Sequence, residues 1–462
     1  MGIGAENNNV MTGDEDTQAR AEVESNVRGV ESKSFSTRLL RSTLVHNIFS
    51  LYWIQIAGYV FPLITIPYLT RVLGVHAWGL VAFAQAFGAY VGLVVEFGFN
   101  LSATRDVACY RDEPERLSQI LAGVLGAKFV LSLACLLVAL AAQRWLTQLR
   151  EYPVLLWAGV ALGIAQAFSM TWFYQGLERM RKAAAIDVIS KGLGVVGVFA
   201  LVRAPQHAWR VLVVQAVAYF AGTSILLVLT YREVRFRWPS AAGTWQAMRT
   251  GGSMFLFRSA VSLYTTANAL ILGVFAPVSS VGYFAAAEKL VRAMLGAFSP
   301  ICQSLFPRLN HLLRHSQTEA LRLVRVSLAV MGGGAIALTI GIWFTAPYII
   351  RVALGPGYSP AVGVLRILAV LLPAVSLSNV LGIQWMLPLG MDRAFNIIII
   401  LCGALNIAAA VLLAPRFAQM GMAASVAGCE SLVTIAMFIV LWRRGLNPLG
   451  KAELLARSTA SL

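Results

Sequence analysis

Leu80–Leu101, LVAFAQAFGAYVGLVVEFGFNL, is an almost wholly apolar run with one carboxylate, Glu96, near its end. Crossing a bilayer takes about 20 such residues. Two later stretches repeat the pattern with a cation. Ile120–Ala142, ILAGVLGAKFVLSLACLLVALAA, carries Lys128, and Gly251–Phe275, GGSMFLFRSAVSLYTTANALILGVF, carries Arg258. An ionisable group near mid-membrane costs at least about 2.5–3.5 kcal/mol on insertion scales and marks a pathway for polar matter. The chain therefore reads as a polytopic membrane protein with a polar interior.

Composition agrees. Hydrophobic residues make up 58% and charged residues 13%, against about 25% charged in a soluble domain. The five cysteines and five histidines show no metal-ligand or triad spacing. No metal, cofactor or catalytic role is expected, and no P-loop suggests direct use of ATP. Residues 1–31 hold seven acids against two arginines. That polar head has no apolar period and is expected to be disordered. It also has no apolar core before a cleavage site, so the first span reads as retained.

Apolar runs place twelve spans at 47–69, 79–104, 118–142, 153–175, 184–203, 209–231, 252–276, 281–306, 322–345, 361–386, 393–414 and 418–442. Alternate loops carry twenty Lys and Arg on one side and seven on the other. That bias puts both termini in the cytoplasm. The outer connections are short, which leaves no room for an external domain.

LGVHAWGLVAFAQA, from Leu73, can be laid on APVSSVGYFAAAEK, from Ala276, by matching Gly79 to Gly282, an offset of 203 residues. Both hairpins face outward by the loop count, so the halves read as parallel repeats. The expected units are an acidic tail (1–42), two six-helix lobes (43–240 and 241–445) and a short cytoplasmic tail (446–462). The basic stretch from Arg232 to Gly252 links the lobes.

Phe61–Ala108, FPLITIPYLTRVLGVHAWGLVAFAQAFGAYVGLVVEFGFNLSATRDVA, resembles the Wzx-type polysaccharide repeat-unit flippases. YFAAAEKLVRAMLGAFSPICQSLFPRL and LGPGYSPAVGVLRILAVLLP resemble the same family's eighth span and ninth-to-tenth connection. The resemblance implies an all-α fold of twelve helices in two lobes around a central cavity, in the bacterial plasma membrane. It also implies alternating access that turns undecaprenyl-diphosphate-linked oligosaccharide from the inner to the outer leaflet. Protons or sodium would be the coupling ion, with a polymerase and chain-length proteins as partners beside membrane lipids; nucleic acid is not expected. The acidic head departs from the family pattern.

Within the spans, Lys128, Lys191, Arg258, Lys289, Arg292 and Arg366 stand against Glu96, Asp187, Glu288 and Glu430. Arginine forks grip phosphate oxygens in pairs, and lysine supplies a mobile charge. Arg258, Lys289, Arg292, Lys128 and Arg366 are therefore expected at a phosphate-bearing headgroup. Lys289 and Arg292 share a helix face, and Glu288 can pair with Arg292. Glu96 and Glu288 are the expected coupling carboxylates, and Pro62 a hinge, since it removes a helical hydrogen bond. Gln85, Tyr90 and Asn100 are candidates to face the cavity. A multidrug or cation antiporter of the same superfamily would favour an acidic or aromatic cavity. A membrane glycosyltransferase or polymerase would need carboxylate pairs and large outer loops. The peptidoglycan-precursor flippase is a third rival.

The orientation is testable with topology reporters. A phosphatase fused after His76 should be active, and one fused after Leu462 inactive. The reverse pattern would overturn the assignment.

Overall fold

In hydrocarbon every backbone N–H and C=O must be satisfied internally, so apolar runs of this length fold as helices. The computed structural model describes residues 60–145 and 150–450 together with Gln55 and Gly58, without the side chains of 253, 256–265, 300, 303, 304 and 314. Among the described residues there are helices and turns and no strand. The acidic tail and most of the 446–462 tail lie outside the described residues.

Helix α1 (60–96) leads through a turn to α2 (Phe99–Cys109), followed by α3 (Pro114–Trp145), α4 (Pro153–Ala167) and α5 (Thr171–Gly176). Then come α6 (Met180–Leu201), α7 (Ala208–Glu233), α8 (Ala241–Phe275), α9 (Val278–Gly296) and α10 (Ser299–His315). Helix α11 (Gln317–Ser327) runs through a π-helical turn into α12 (Gly333–Ala353). Helices α13 (Ala361–Ala369) and α14 (Leu371–Ser378) precede a π-helical stretch, Asn379–Met386, and α15 (Asp392–Arg443) ends the series.

Among the described residues eight helical runs are long and apolar enough to cross a membrane. Two are of double length. Val60–Cys109 breaks at Gly74, where φ is +70°. Asp392–Arg443 breaks at Ala418, where φ is 47° and ψ −126°. With α8 and the α9–α10 pair, these runs cover the described parts of the twelve expected spans; residues 47–54 of the first lie outside the described residues. The chain is an all-α, multi-pass membrane protein. Phe129, Leu137, Leu193 and Phe344 are exposed on its outside, as lipid-facing side chains should be.

Four expected spans are interrupted: the second at Phe97 and Gly98, the fourth between Ala167 and Thr171, the eighth between Gly296 and Ser299, and the tenth at Val370. None of these breaks carries a charge, so hydropathy alone did not show them. Pro300 sits in the first turn of α10, where its missing N–H costs nothing.

Packing rests on backbones that nearly touch. Gly88 and Gly92 of α1 meet Gly159 and Gly163 of α4. A Cβ on Gly88, Gly159 or Gly163 would overlap a carbonyl of the facing helix, and one on Gly92 would come within 3.0 Å of Gly163 O. Both helices use the Gly-x-x-x-Gly spacing that lets membrane helices approach closely where no hydrophobic force drives them together. A second crossing joins α1 to α9. A Cβ on Gly79 would overlap Val278 O, and one on Gly282 would overlap Val75 O. Val75 and Val278 are again 203 residues apart, so the contact is reciprocal, as two-fold-related repeats require.

These crossings predict that Gly79→Ala or Gly282→Ala lowers the melting temperature of the detergent-purified protein, for an overpacking cost of about 1–3 kcal/mol. Gly341→Ala, whose Cβ would meet nothing within 4 Å, should be neutral or slightly stabilising. Equal effects at all three sites would refute the tight crossing.

Candidate functional site

Helix α9 begins at the crossing with α1 and carries the charges of the interior. Lys289 donates through Nζ to Gln85 Oε1 at 2.9 Å and stands 4.6 Å from the centre of the Trp78 ring. One turn further, Arg292 donates to Glu288 Oε1 from Nη2 at 2.7 Å and from Nε at 3.0 Å. The i, i+4 spacing gives that pair its geometry. Although Lys289 and Arg292 are only three residues apart, they line different cavities.

Lys289 lines a cavity of about 250 Å³ with Trp78, Gln85, Gln166, Ser190, Lys191, Gln215 and Tyr219. Lys191 is neutralised there by Asp187 at 2.6 Å, both side chains being mostly buried. Gln85 Nε2 donates to Gln215 Oε1 at 3.4 Å, a long bond. Gln166, the penultimate residue of α4, also lines an adjoining space of about 200 Å³ with Tyr90, Glu96 and Thr266. The Gly-x-x-x-Gly crossing brings that helix end against α1. Pro62 lines the first cavity.

Arg292 lines two spaces on the other side, about 560 and 360 Å³, which share Leu295, Val375, Asn379 and Ile383. The larger is walled mainly by Leu295, Phe298, Phe306, Val375 and Ile383. The smaller adds Glu430 and three more asparagines, Asn268, Asn396 and Asn406. Two of these are tied into the protein. Asn406 donates to Asn268 Oδ1 at 3.4 Å and accepts from Ser425 Oγ at 2.8 Å.

Lys128 and Arg366 line none of these cavities. Lys128 is 1% exposed and donates to Ala167 O at 2.6 Å. Its ammonium stands 5.7 Å from the Trp172 ring. It thus satisfies a carbonyl that the break in the fourth span leaves without a helical partner, as cations do at helix C-termini. Arg366 donates to Trp343 O at 2.9 Å and stacks on the Trp343 ring at 5.2 Å. Trp343 is exposed on the outer apolar surface, so Arg366 sits at the lipid face. Asn100 Oδ1 is buried without a hydrogen bond and lines none of these spaces. The Arg258 side chain lies outside the described residues. The six-to-four excess of cations over acids in the spans therefore does not carry over to the cavities. Among the described residues Lys191, Lys289 and Arg292 line them with Glu96 and Glu430, while Asp187 pairs with Lys191 and Glu288 with Arg292.

The charge scan missed Gln166, Gln215 and the asparagines. Neutral amides inside apolar runs were the available signal. Among the described residues no cluster of three or more His, Cys, Asp or Glu could hold a metal ion.

The family model described as "Polysaccharide biosynthesis protein" matches residues 44–313. A protein of Escherichia coli (strain K12) named "Putative O-antigen transporter" is 30% identical over 401 residues, covering 86% of this chain and 96% of its own length. A protein of Shigella dysenteriae with the same name is 29% identical over 398 residues, covering 85% and 98%. The lipid II flippase MurJ in its inward closed conformation shares the fold, with TM-score 0.68 at 10% identity over 90% of each chain. So does an inward-facing multidrug resistance MATE family transporter of the MOP superfamily, with TM-score 0.61 at 13% identity over 88% of this chain and 99% of the other.

The position of Lys128 predicts a structural phenotype. Lys128→Met strands a buried carbonyl, a loss of about 1–3 kcal/mol, and should lower the melting temperature, with transport falling only as folded protein falls. Wild-type stability with transport abolished would instead make Lys128 a cargo ligand.

Proposed function

Because the chain belongs to the polysaccharide biosynthesis protein family, we propose that it carries a lipid-linked oligosaccharide across the plasma membrane, from the inner to the outer leaflet. The cargo is an oligosaccharide on undecaprenyl diphosphate, destined for a surface polysaccharide. The observation that carries this reading is the placement of Lys289 and Arg292 on α9: Lys289 reaches a cavity otherwise lined by the N-terminal half, and Arg292 faces spaces within the C-terminal half. The names of the two transporter relatives support the same cargo class.

A diphosphate and its sugars cannot enter hydrocarbon without their hydrogen bonds. The cavities offer both charge and neutral polar groups. Arg292 already holds a carboxylate, Glu288, and a phosphate competes for the same guanidinium with similar geometry. Exchange of Glu288 for phosphate keeps the half-exposed Arg292 guanidinium paired throughout. The freed Glu288, and Glu96 at the adjoining cavity, are the carboxylates proposed to take up the coupling ion.

The outer side is sealed where α1 crosses α9 at Gly79 and Gly282 and where Arg71 donates to Val352 O. Release outward requires these contacts to part. An inside-negative potential favours outward movement of anionic charge by about 2.3 kcal/mol per charge per 100 mV. Cations that move with the cargo cancel part of that. Net transport also requires weaker binding in the outward-facing state, because equal affinity in both states shifts nothing.

Arg292→Ala and Lys289→Ala should each cut surface polysaccharide in a complemented deletion strain at least tenfold at normal expression. Arg366→Ala should leave it unchanged. Full polysaccharide with both cavity cations removed, or drug resistance as the sole phenotype of the deletion, would overturn this function.

A further inference from the structure

We infer that the cavity around Gln85, Gln166 and Gln215 is the sugar-recognition subsite, separate from the phosphate-binding position at Arg292. This inference rests on the function proposed above and divides its site in two.

The walls of this cavity differ from those of the larger space beside Arg292. Three glutamine amides, the Ser190 hydroxyl and the Tyr219 phenol line it, together with the Trp78 indole. Each amide presents both a carbonyl acceptor and an NH₂ donor. Sugar hydroxyls donate and accept in the same way, whereas phosphate oxygens at neutral pH chiefly accept. Charge is largely spent here. Lys191 is held by Asp187 at 2.6 Å, and Lys289 donates to Gln85 at 2.9 Å. A phosphate would meet three glutamine amides and Lys191 already matched by Asp187, with only Lys289 unmatched by an acid.

Polar capacity is left over. The Gln166 amide is exposed to the cavities and has no hydrogen-bond partner among the described residues. Trp78 is 1% exposed, and its Nε1 is buried with no partner among the described residues. Gln85 and Gln215 share only a 3.4 Å bond, which a hydroxyl can replace. Buried polar atoms are normally satisfied, so unpaired donors and acceptors on one wall point to a polar ligand that completes them. Tyr219 adds an aromatic face suited to the C–H face of a pyranose. The larger Arg292 space has a guanidinium, Ser299, Ser376 and Asn379 among mainly apolar walls, which suit a diphosphate at the head of a prenyl chain.

The test compares two ligands on the purified full-length protein: undecaprenyl diphosphate without sugar, and the lipid-linked oligosaccharide extracted from cells lacking this transporter. Gln166→Leu breaks no internal hydrogen bond of the described structure, so it separates recognition from folding; Gln215→Leu is the second variant. Each should weaken binding of the sugar-bearing lipid about two- to tenfold, as loss of one or two hydrogen bonds does, and leave the sugar-free lipid unchanged. Arg292→Ala should weaken both. If the glutamine variants weaken both lipids equally, or neither, the sugar subsite is refuted while the transport function stands. If the wild-type protein binds neither lipid, the proposed function falls and this inference with it.

Discussion

The close approach of backbones through glycine is the constraint on which the rest of the structure depends. Gly88 and Gly92 let α1 lie against Gly159 and Gly163 of α4 with no side chain between them. Lipid tails are as apolar as leucine, so these helices gain from contact and shape rather than from exclusion of water. The crossing fixes where α4 stops, and hence where Gln166 and the free carbonyls of its last turn come to lie. Lys128, buried on α3, meets one of those carbonyls and makes the break in the fourth span tolerable. Remove the glycines and the interior amide has no defined position.

The second glycine crossing has a different consequence. Gly79 and Gly282 each face the backbone of the other's helix, so the two halves meet through equivalent residues. Such a contact is bistable rather than compliant, because packed backbones either fit or separate. Lys289 and Arg292 follow on the same α9, just past this seam. A change in how the halves meet therefore acts directly on both cations. That coupling of seam and site is what the proposed alternating access needs.

Charge inside the protein is used three ways. Lys128 serves packing, Arg366 reaches the lipid face along Trp343, and Lys289 and Arg292 face cavities. Residue type and hydropathy are the same in each case. The differences come from what the neighbouring helix presents: an orphan carbonyl, an exposed indole, or an amide beside open space. Each cation facing the cavities sits beside an acid or an amide, which limits the desolvation cost of burying it.

The amino-acid sequence by itself determined the all-α, multi-pass fold and the positions of its spans, because hydrocarbon admits only apolar runs with their backbones paired. It also determined the 203-residue offset, since symmetric packing demands equivalent residues at equivalent places. The i, i+4 pairing of Glu288 with Arg292 was legible for the same local reason. Only the tertiary structure decided which ionisable groups face a cavity, where the second, fourth, eighth and tenth spans are interrupted, and that Gln166 and Gln215 join Gln85 in the interior. Those outcomes depend on which helix lies opposite, and helix rotation in a membrane is set by contacts between segments distant in sequence.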